Sequence, residues 1–294
     1  MNMTGDKAAR IRCRLIAETD LPALTELLAQ GFPARSSAYW GRALDKLARR
    51  DAPQAYPRFG YMLEAGDRPV GVVLMIFSLS DGLGAAKARC NISSWYVDPL
   101  HQGYASLLIA AAVRLKDVTY INVSPATHTW PVIEAQGFRR YCNGQILCIP
   151  ALGRWAPKTR AQPFNPERDY GASLAKEERD ILFAHQSYGC LSLVVREKGA
   201  AHPFVFLPRR VFHDVMPTLQ LVYCRQLDDF VRFSGVLGRA LWRQGHLLTL
   251  VDANQPLPGL LGIYRSNRGP KYFKGPETPR IGDLAFCESV LFGP

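Results

Sequence analysis

Apolar positions along this chain follow two spacings that take turns. Residues 11–17 alternate and predict a first strand. Asp20 then offers an N-cap, Pro22 sits in a first turn, Leu24, Leu27 and Leu28 share a face, and Gly31 offers a C-cap, which predicts a helix. A second helix is expected over 37–50, with Trp40, Leu44 and Leu47 on one side. Residues 61–65 and 70–77 flank Gly66-Asp67-Arg68-Pro69 and predict a hairpin. A strand over 88–97 leads through a loop at 98–102 into a helix over 103–116, apolar nearly all round and so expected to be buried. A strand at 119–123, a short helix at 128–136 and a strand at 138–149 complete the series.

The texture changes after residue 150. Pro150, Pro157, Pro163 and Pro166, with Arg154, Lys158 and Arg160, predict a linker over 151–168 between a domain at 1–150 and another at 169–294. The second half repeats the order of the first. A helix is expected over 173–186, strands at 191–196 and 203–207 flank Glu197-Lys198-Gly199, and a strand at 219–225, a helix at 230–244 and a strand at 247–251 follow. Leu219 to Gly262 spans 43 positions and Asn91 to Gly137 spans 46. Equal order at near-equal spacing predicts an internal duplication.

Composition narrows the class. The 294 residues suit two compact domains, and 48% hydrophobic with 21% charged residues allows each a normal core. The net charge of +11 is spread, with 17 basic and 12 acidic residues in 1–150 and 19 and 13 in 151–294. Spread charge favours small anionic ligands over a nucleic-acid footprint. The seven cysteines form no C-x-x-C pair and mostly lie in apolar runs, as expected of core residues in a reducing compartment. Residues 1–20 lack an apolar signal core, and no apolar run reaches the roughly 18 residues of a membrane span. A cytoplasmic protein is expected.

The run with chemical content is Asn91-Ile-Ser-Ser-Trp-Tyr-Val-Asp-Pro-Leu-His-Gln-Gly-Tyr-Ala-Ser-Leu-Leu108. Small residues at Gly103 and Ala105 let a ligand approach the backbone where a helix begins, and free N–H groups there suit a pyrophosphate. Leu100-His-Gln-Gly-Tyr-Ala105 resembles the coenzyme A motif Gln/Arg-x-x-Gly-x-Gly/Ala of the GNAT superfamily of acyl-CoA-dependent N-acyltransferases. The preceding Tyr96-Val-Asp-Pro99 and the later Glu134-Ala-Gln-Gly-Phe138 are similar to that family as well, and the resemblance covers 11–149. It implies an α/β (α+β) fold in which helices flank a mixed, twisted sheet whose fourth and fifth strands splay apart. It implies acetyl-CoA or another acyl-CoA as co-substrate, and no metal. The pantetheine arm would pair with the backbone of Trp95, Tyr96 and Val97, and amides of Gln102, Gly103, Tyr104, Ala105 and Ser106 would take the pyrophosphate. A small-molecule or peptide amine would attack the thioester directly.

The sequence departs from the family pattern in three places. Leu100 replaces the usual Gln or Arg. Ser93 and Ser94 stand where many members carry a glutamate base, and Ile133 stands where a tyrosine often protonates the thiolate. The candidates left for proton transfer are His128 and Ser94. His101 could meet a phosphate or face solvent, and Ser124 could orient an amine or cap a helix. Trp40 and Tyr39 could line the acceptor pocket, with core packing the alternative for Trp40. His213-Asp214 and Asp228-Asp229 read as loop residues. In the second half Arg232 and Gly235 fit a repeated cofactor motif, but Leu237 takes the small-residue position, so a degenerate copy is expected. Two other functions stay open: a non-catalytic acyl-CoA-binding protein, and a Fem-like transferase that uses aminoacyl-tRNA. The acceptor and the oligomeric state are not fixed by the sequence.

Overall fold

The computed structural model describes residues 10–80, 87–154, 159–211 and 215–293. They divide into two compact units, one containing 10–79 and 87–120, the other containing 121–293.

In the first unit, β1 (Ile11–Leu15) pairs antiparallel with β2 (Gly60–Ala65), and β2 with β3 (Arg68–Ser80). β4 (Lys87–Val97) and β5 (Thr119–Asn122) continue the order β1-β2-β3-β4-β5, and the first two residues of β5 close the unit. Val70, Val72, Val73, Leu74, Met75, Ile76 and Phe77 are all buried, as a central strand covered on both faces requires. The helices are α1 (Leu21–Gly31), α2 (Ser37–Arg49) and α3 (Ala105–Ala112). Ser36 caps α2 by accepting the Tyr39 N–H at 3.2 Å, and Trp40, Ala43, Leu44 and Leu47 form its buried face.

Asp20 does not cap α1 as expected. Its carboxylate takes two guanidinium N–H groups of Arg14, at 2.7 and 2.8 Å, and the Ala17 N–H at 2.7 Å. The Arg14 partnership holds the Asp20 carboxyl below its ordinary value, and a 3-10 turn (Glu18–Asp20) leads into the helix instead. Gly31 closes α1 as its last helical residue, and Phe32 is the C-cap.

The second unit contains α4 (Trp130–Ala135), β6 (Arg139–Cys148), β7 (Arg160–Pro163), α5 (Lys176–Ser187), β8 (Leu191–Glu197) and β9 (Ala200–Val211). β10 (Met216–Cys224), α6 (Leu227–Trp242), β11 (Leu248–Ala253), β12 (Gly262–Lys274) and α7 (Glu288–Phe292) follow. Its strands lie in the order β12-β6-β11-β10-β9-β8-β7. β10 and β11 run parallel across α6, while β6, β8 and β9 pair antiparallel with their neighbours, so the sheet is mixed. Alternation places Phe204, Phe206, Leu193 and Val195 against Phe230, Phe233 and Leu237 of α6. Val205, Leu207 and Val194 face the other way, into a cluster with Leu182 of α5 and Val290 of α7.

The division falls elsewhere than the proline-rich texture placed it. β6, expected to end the first domain, lies between β11 and β12 and so groups with the second unit. The expected linker holds β7, paired antiparallel with β8, where Pro163 is tolerated at the sheet edge. It also holds a 3-10 turn (Pro150–Leu152) packed on α6. β9 runs past Pro208 to Val211 rather than stopping at 207. No helix among the described residues is long and apolar enough to cross a membrane.

Candidate functional site

The residues singled out by the motif lie on β4 and on the segment that leads into α3. Ser94 sits inside β4 with φ 51°, the left-handed region that a non-glycine residue occupies at a cost of about 1–2 kcal/mol. Its hydroxyl lies 2.9 Å from that of Ser93. Strain of this kind persists only where the surrounding structure holds it, and it clusters at ligand sites. One residue on, the indole Nε1 of Trp95 is buried with no hydrogen-bond partner among the described residues. An orphaned buried donor costs about 1–3 kcal/mol, which marks the position as one that can serve a ligand acceptor.

Tyr96 is fixed from the side of α1. Its ring lies 6.2 Å from that of Phe32, which lies 5.4 Å from Trp40. A Cβ at Gly31 would fall 2.6 Å from Tyr96 Cδ1, so a glycine at the end of α1 is needed for the tyrosine to pack there. Burial, with the Asp98 charge adding to it, pushes the Tyr96 phenol up, so it stays protonated. Trp40 itself is core, at 4% exposure, while Tyr39 is half-buried with its ring edge-on to Trp40.

The turn after β4 is built by Asp98. Its N–H donates to Val70 O at 2.8 Å and its carboxylate accepts the Leu100 N–H at 2.9 Å. A 3-10 turn (Pro99–Tyr104) follows, and α3 opens at Ala105 and ends at Ala112, a shorter helix than the 103–116 expected. The Ala105 N–H donates to Gln102 O within this turn. Asp98 and Pro99 favour a tight turn, so the glycine precedes the helix rather than opening it. α3 is also less buried than its apolar sequence implied. Leu108, Ile109 and Ala112 are covered, but Leu107 is 50% exposed and, in the turn before it, Tyr104 is 43% and Leu100 87% exposed. A Cβ at Gly103 would meet nothing within 4 Å, so the protein itself does not demand a glycine there. His101 lies beside the Asp98 carboxylate, at 3.6 Å.

Ser94, Trp95, Tyr96, Val97, Gln102, Gly103, Tyr104, Ala105 and Ser106 therefore share one unit and two consecutive segments. His128 belongs to the other unit, exposed on the 3-10 turn (Thr127–Thr129) before α4. Ser124 donates to Glu288. Ile133 is the buried residue of α4, at 3% exposure. Asp228 and Asp229, expected in a loop, form the first turn of α6, where carboxylates oppose the helix dipole favourably. His213-Asp214 lies outside the described residues. Among the described residues no cluster of His, Cys, Asp and Glu could hold a metal ion.

The second-half counterpart of the motif is packed shut. A Cβ at Gly235 would stand 2.7 Å from Gly153 O, and one at Gly238 would stand 2.5 Å from Ala151 Cα. These glycines admit the 150–154 turn against α6. Leu237 is fully buried and Arg232 pairs with Glu197.

No family model and no curated protein matches this sequence. Solved structures do match its fold. A GCN5-related N-acetyltransferase from Anabaena variabilis superposes with a TM-score of 0.60 at 13% identity, over 95% of this chain and 74% of that one. The GCN5-related N-acetyltransferase from Kribbella flavida gives 0.56 at 14% identity, over 90% and 70%. The GCN5-related glucosamine N-acetyltransferase region of a fungal multi-domain β-N-acetylglucosaminidase gives 0.58 at 12% identity, over 90% of this chain and 38% of that one. The chain has the GNAT fold.

Proposed function

We propose that this protein transfers an acyl group, acetyl in the first instance, from coenzyme A to the amine of a small molecule or peptide. The observation that carries the reading is the conjunction on β4 and α3: a left-handed Ser94 in mid-strand, an orphaned Trp95 N–H beside it, and an open Gly103-x-Ala105 turn. In this reading the pantetheine arm pairs with the backbone of Trp95–Val97 next to the left-handed Ser94. The pyrophosphate rests on the backbone of Gln102–Ser106. Exposed Leu100, Tyr104 and Leu107 give the rest of the cofactor an apolar surface.

The amine nitrogen attacks the thioester carbonyl, a C–N bond forms, and the C–S bond breaks. The ammonium proton leaves through water held at the Ser94 hydroxyl, and the departing thiolate recovers a proton from solvent. His128 is the alternative acceptor of that proton. We read 169–294 as a degenerate copy without its own cofactor site, because the 150–154 turn fills the space over Gly235 and Gly238. Titration of the intact chain then gives one coenzyme A per protein.

A second reading is that the protein binds acyl-CoA without turning it over. Ser93, Ser94 and Ile133 favour it, since none supplies a strong base or acid at the positions the family uses. Thiol release from acetyl-CoA across a panel of primary amines, read beside calorimetric titration of acetyl-CoA, separates the two. Turnover with any amine supports transfer, binding without turnover supports the second reading, and absence of binding removes both.

A further inference from the structure

A tryptophan N–H ordinarily meets either an acceptor of the protein or water. Trp130 donates to Pro125 O at 3.2 Å, and Trp242 stands 63% exposed, within reach of solvent. Trp95 does neither. Its ring is half-buried on β4, and its Nε1 is enclosed without a hydrogen-bond partner. A buried donor in this state is unfavourable for the folded chain, and few native groups are left so. The cost is recovered when an oxygen is brought to it.

The place of the residue along β4 says which oxygen. β4 runs from Lys87 to Val97, and its end is fixed where the Asp98 N–H donates to Val70 O at 2.8 Å. The 3-10 turn (Pro99–Tyr104) and α3 follow directly. In the acyltransferase reading the pyrophosphate rests on Gln102–Ser106, so the arm runs back along β4, away from the turn. Its amides meet the backbone of Val97 and Tyr96 first. The thioester comes last, level with Trp95 and the left-handed Ser94. Backbone pairing of the arm leaves that carbonyl without a donor. Negative charge gathers on its oxygen as an amine adds, and an N–H fixed in an enclosed site opposes that charge well.

We infer that the Trp95 indole N–H donates to the thioester oxygen of bound acyl-CoA, and so orients and polarises the carbonyl. The inference rests on the placement of coenzyme A proposed above. The indole keeps its proton throughout, while the C–N bond forms and the C–S bond breaks at the carbon beside it.

Calorimetric titration of the full chain with acetyl-CoA and with S-ethyl-coenzyme A tests the assignment. The second ligand has nearly the same size, with a methylene in place of the carbonyl. The parent should bind acetyl-CoA about fivefold or more tightly than the thioether. Trp95→Phe keeps an aromatic ring and removes the N–H, so there the preference should vanish or reverse. Comparing the ligands within each protein cancels any general weakening caused by the smaller ring. Equal affinity of the parent for both ligands overturns the inference, whether or not the variant folds. A preference for acetyl-CoA that persists in Trp95→Phe assigns the carbonyl to another donor and overturns it as well. Either result leaves coenzyme A binding in place. A parent that binds neither ligand removes the acyltransferase reading and this inference with it.

Discussion

Replacement of Ser94 by glycine and by valine gives opposite results depending on whether residue 94 is left-handed. At φ 51° serine bears a left-handed cost of about 1–2 kcal/mol, which glycine escapes. Glycine loses about 0.5–1 kcal/mol through its greater unfolded-state freedom. Glycine also gives up the 2.9 Å contact with the Ser93 hydroxyl, worth about 0.5–1.5 kcal/mol, so Ser94→Gly should lie between about 1.5 kcal/mol less and about 1 kcal/mol more stable than the parent. Valine keeps the backbone cost, sharpens it through its branched Cβ, and removes the 2.9 Å contact with Ser93, a hydrogen bond worth about 0.5–1.5 kcal/mol. Ser94→Val should lose about 2 kcal/mol. In a regular strand the order reverses, because valine is favoured there and glycine is not. Urea unfolding followed by tryptophan fluorescence reads the difference. With a slope of about 2 kcal/mol per molar, the valine midpoint should fall by about 1 M. A valine variant as stable as the glycine variant, or more so, refutes the left-handed conformation of Ser94.

Three further outcomes follow from the geometry. Lys271→Met leaves Asp252 buried and uncompensated and should cost about 3–5 kcal/mol in chemical denaturation, with most of it recovered when Asp252 is replaced by leucine as well; a loss under about 1 kcal/mol contradicts the buried pair. Burial lowers the His246 pKa from 6.5, so the unfolded chain takes up the proton first; stability is full above about pH 6.5 and declines as the pH falls through that value toward the folded one. Melting temperatures of His246→Gln between pH 7.5 and 5.5 (about one unit either side of the free value) should show a shallower decline, and an identical slope removes His246 as its source. His128→Ala should change acyl-transfer rates by less than about threefold, since the residue is exposed; a loss of about a hundredfold or more with cofactor binding intact would make it the base.

The elements that were readable from residue order are those whose signals are local. The strands β8 and β9, the Gly66 turn, the Trp40–Leu44–Leu47 face of α2 and the Leu24–Leu27–Leu28 face each depend on neighbours a few positions away. β12 was hidden because most of its first nine residues face solvent, and its register shifts break the two-residue period. β7 was masked by Pro163 and by the prolines on either side of it in the sequence. The left-handed turn at Ser94 has no signature in a serine, and the orphaned Trp95 N–H depends on what surrounds the indole rather than on its own identity. β6, β9, β10 and β12 are scattered along the chain and meet only through the strand order of the second unit. The division after Tyr120 has the same origin, since composition at Pro150 carries no record of which strands flank β6.

The account rests on coenzyme A lying against the Gln102–Ser106 backbone, and Gly103→Val is the most direct probe of that placement. A Cβ there meets nothing of the protein within 4 Å, so the variant should fold as the parent does while its side chain occupies the approach to the turn. Calorimetric titration with coenzyme A should show one site in the parent. In the variant the affinity should be at least about tenfold weaker, a change of about 1.4 kcal/mol or more, at an unchanged unfolding midpoint. Equal affinity in a fully folded Gly103→Val protein would place the cofactor elsewhere and contradict the account.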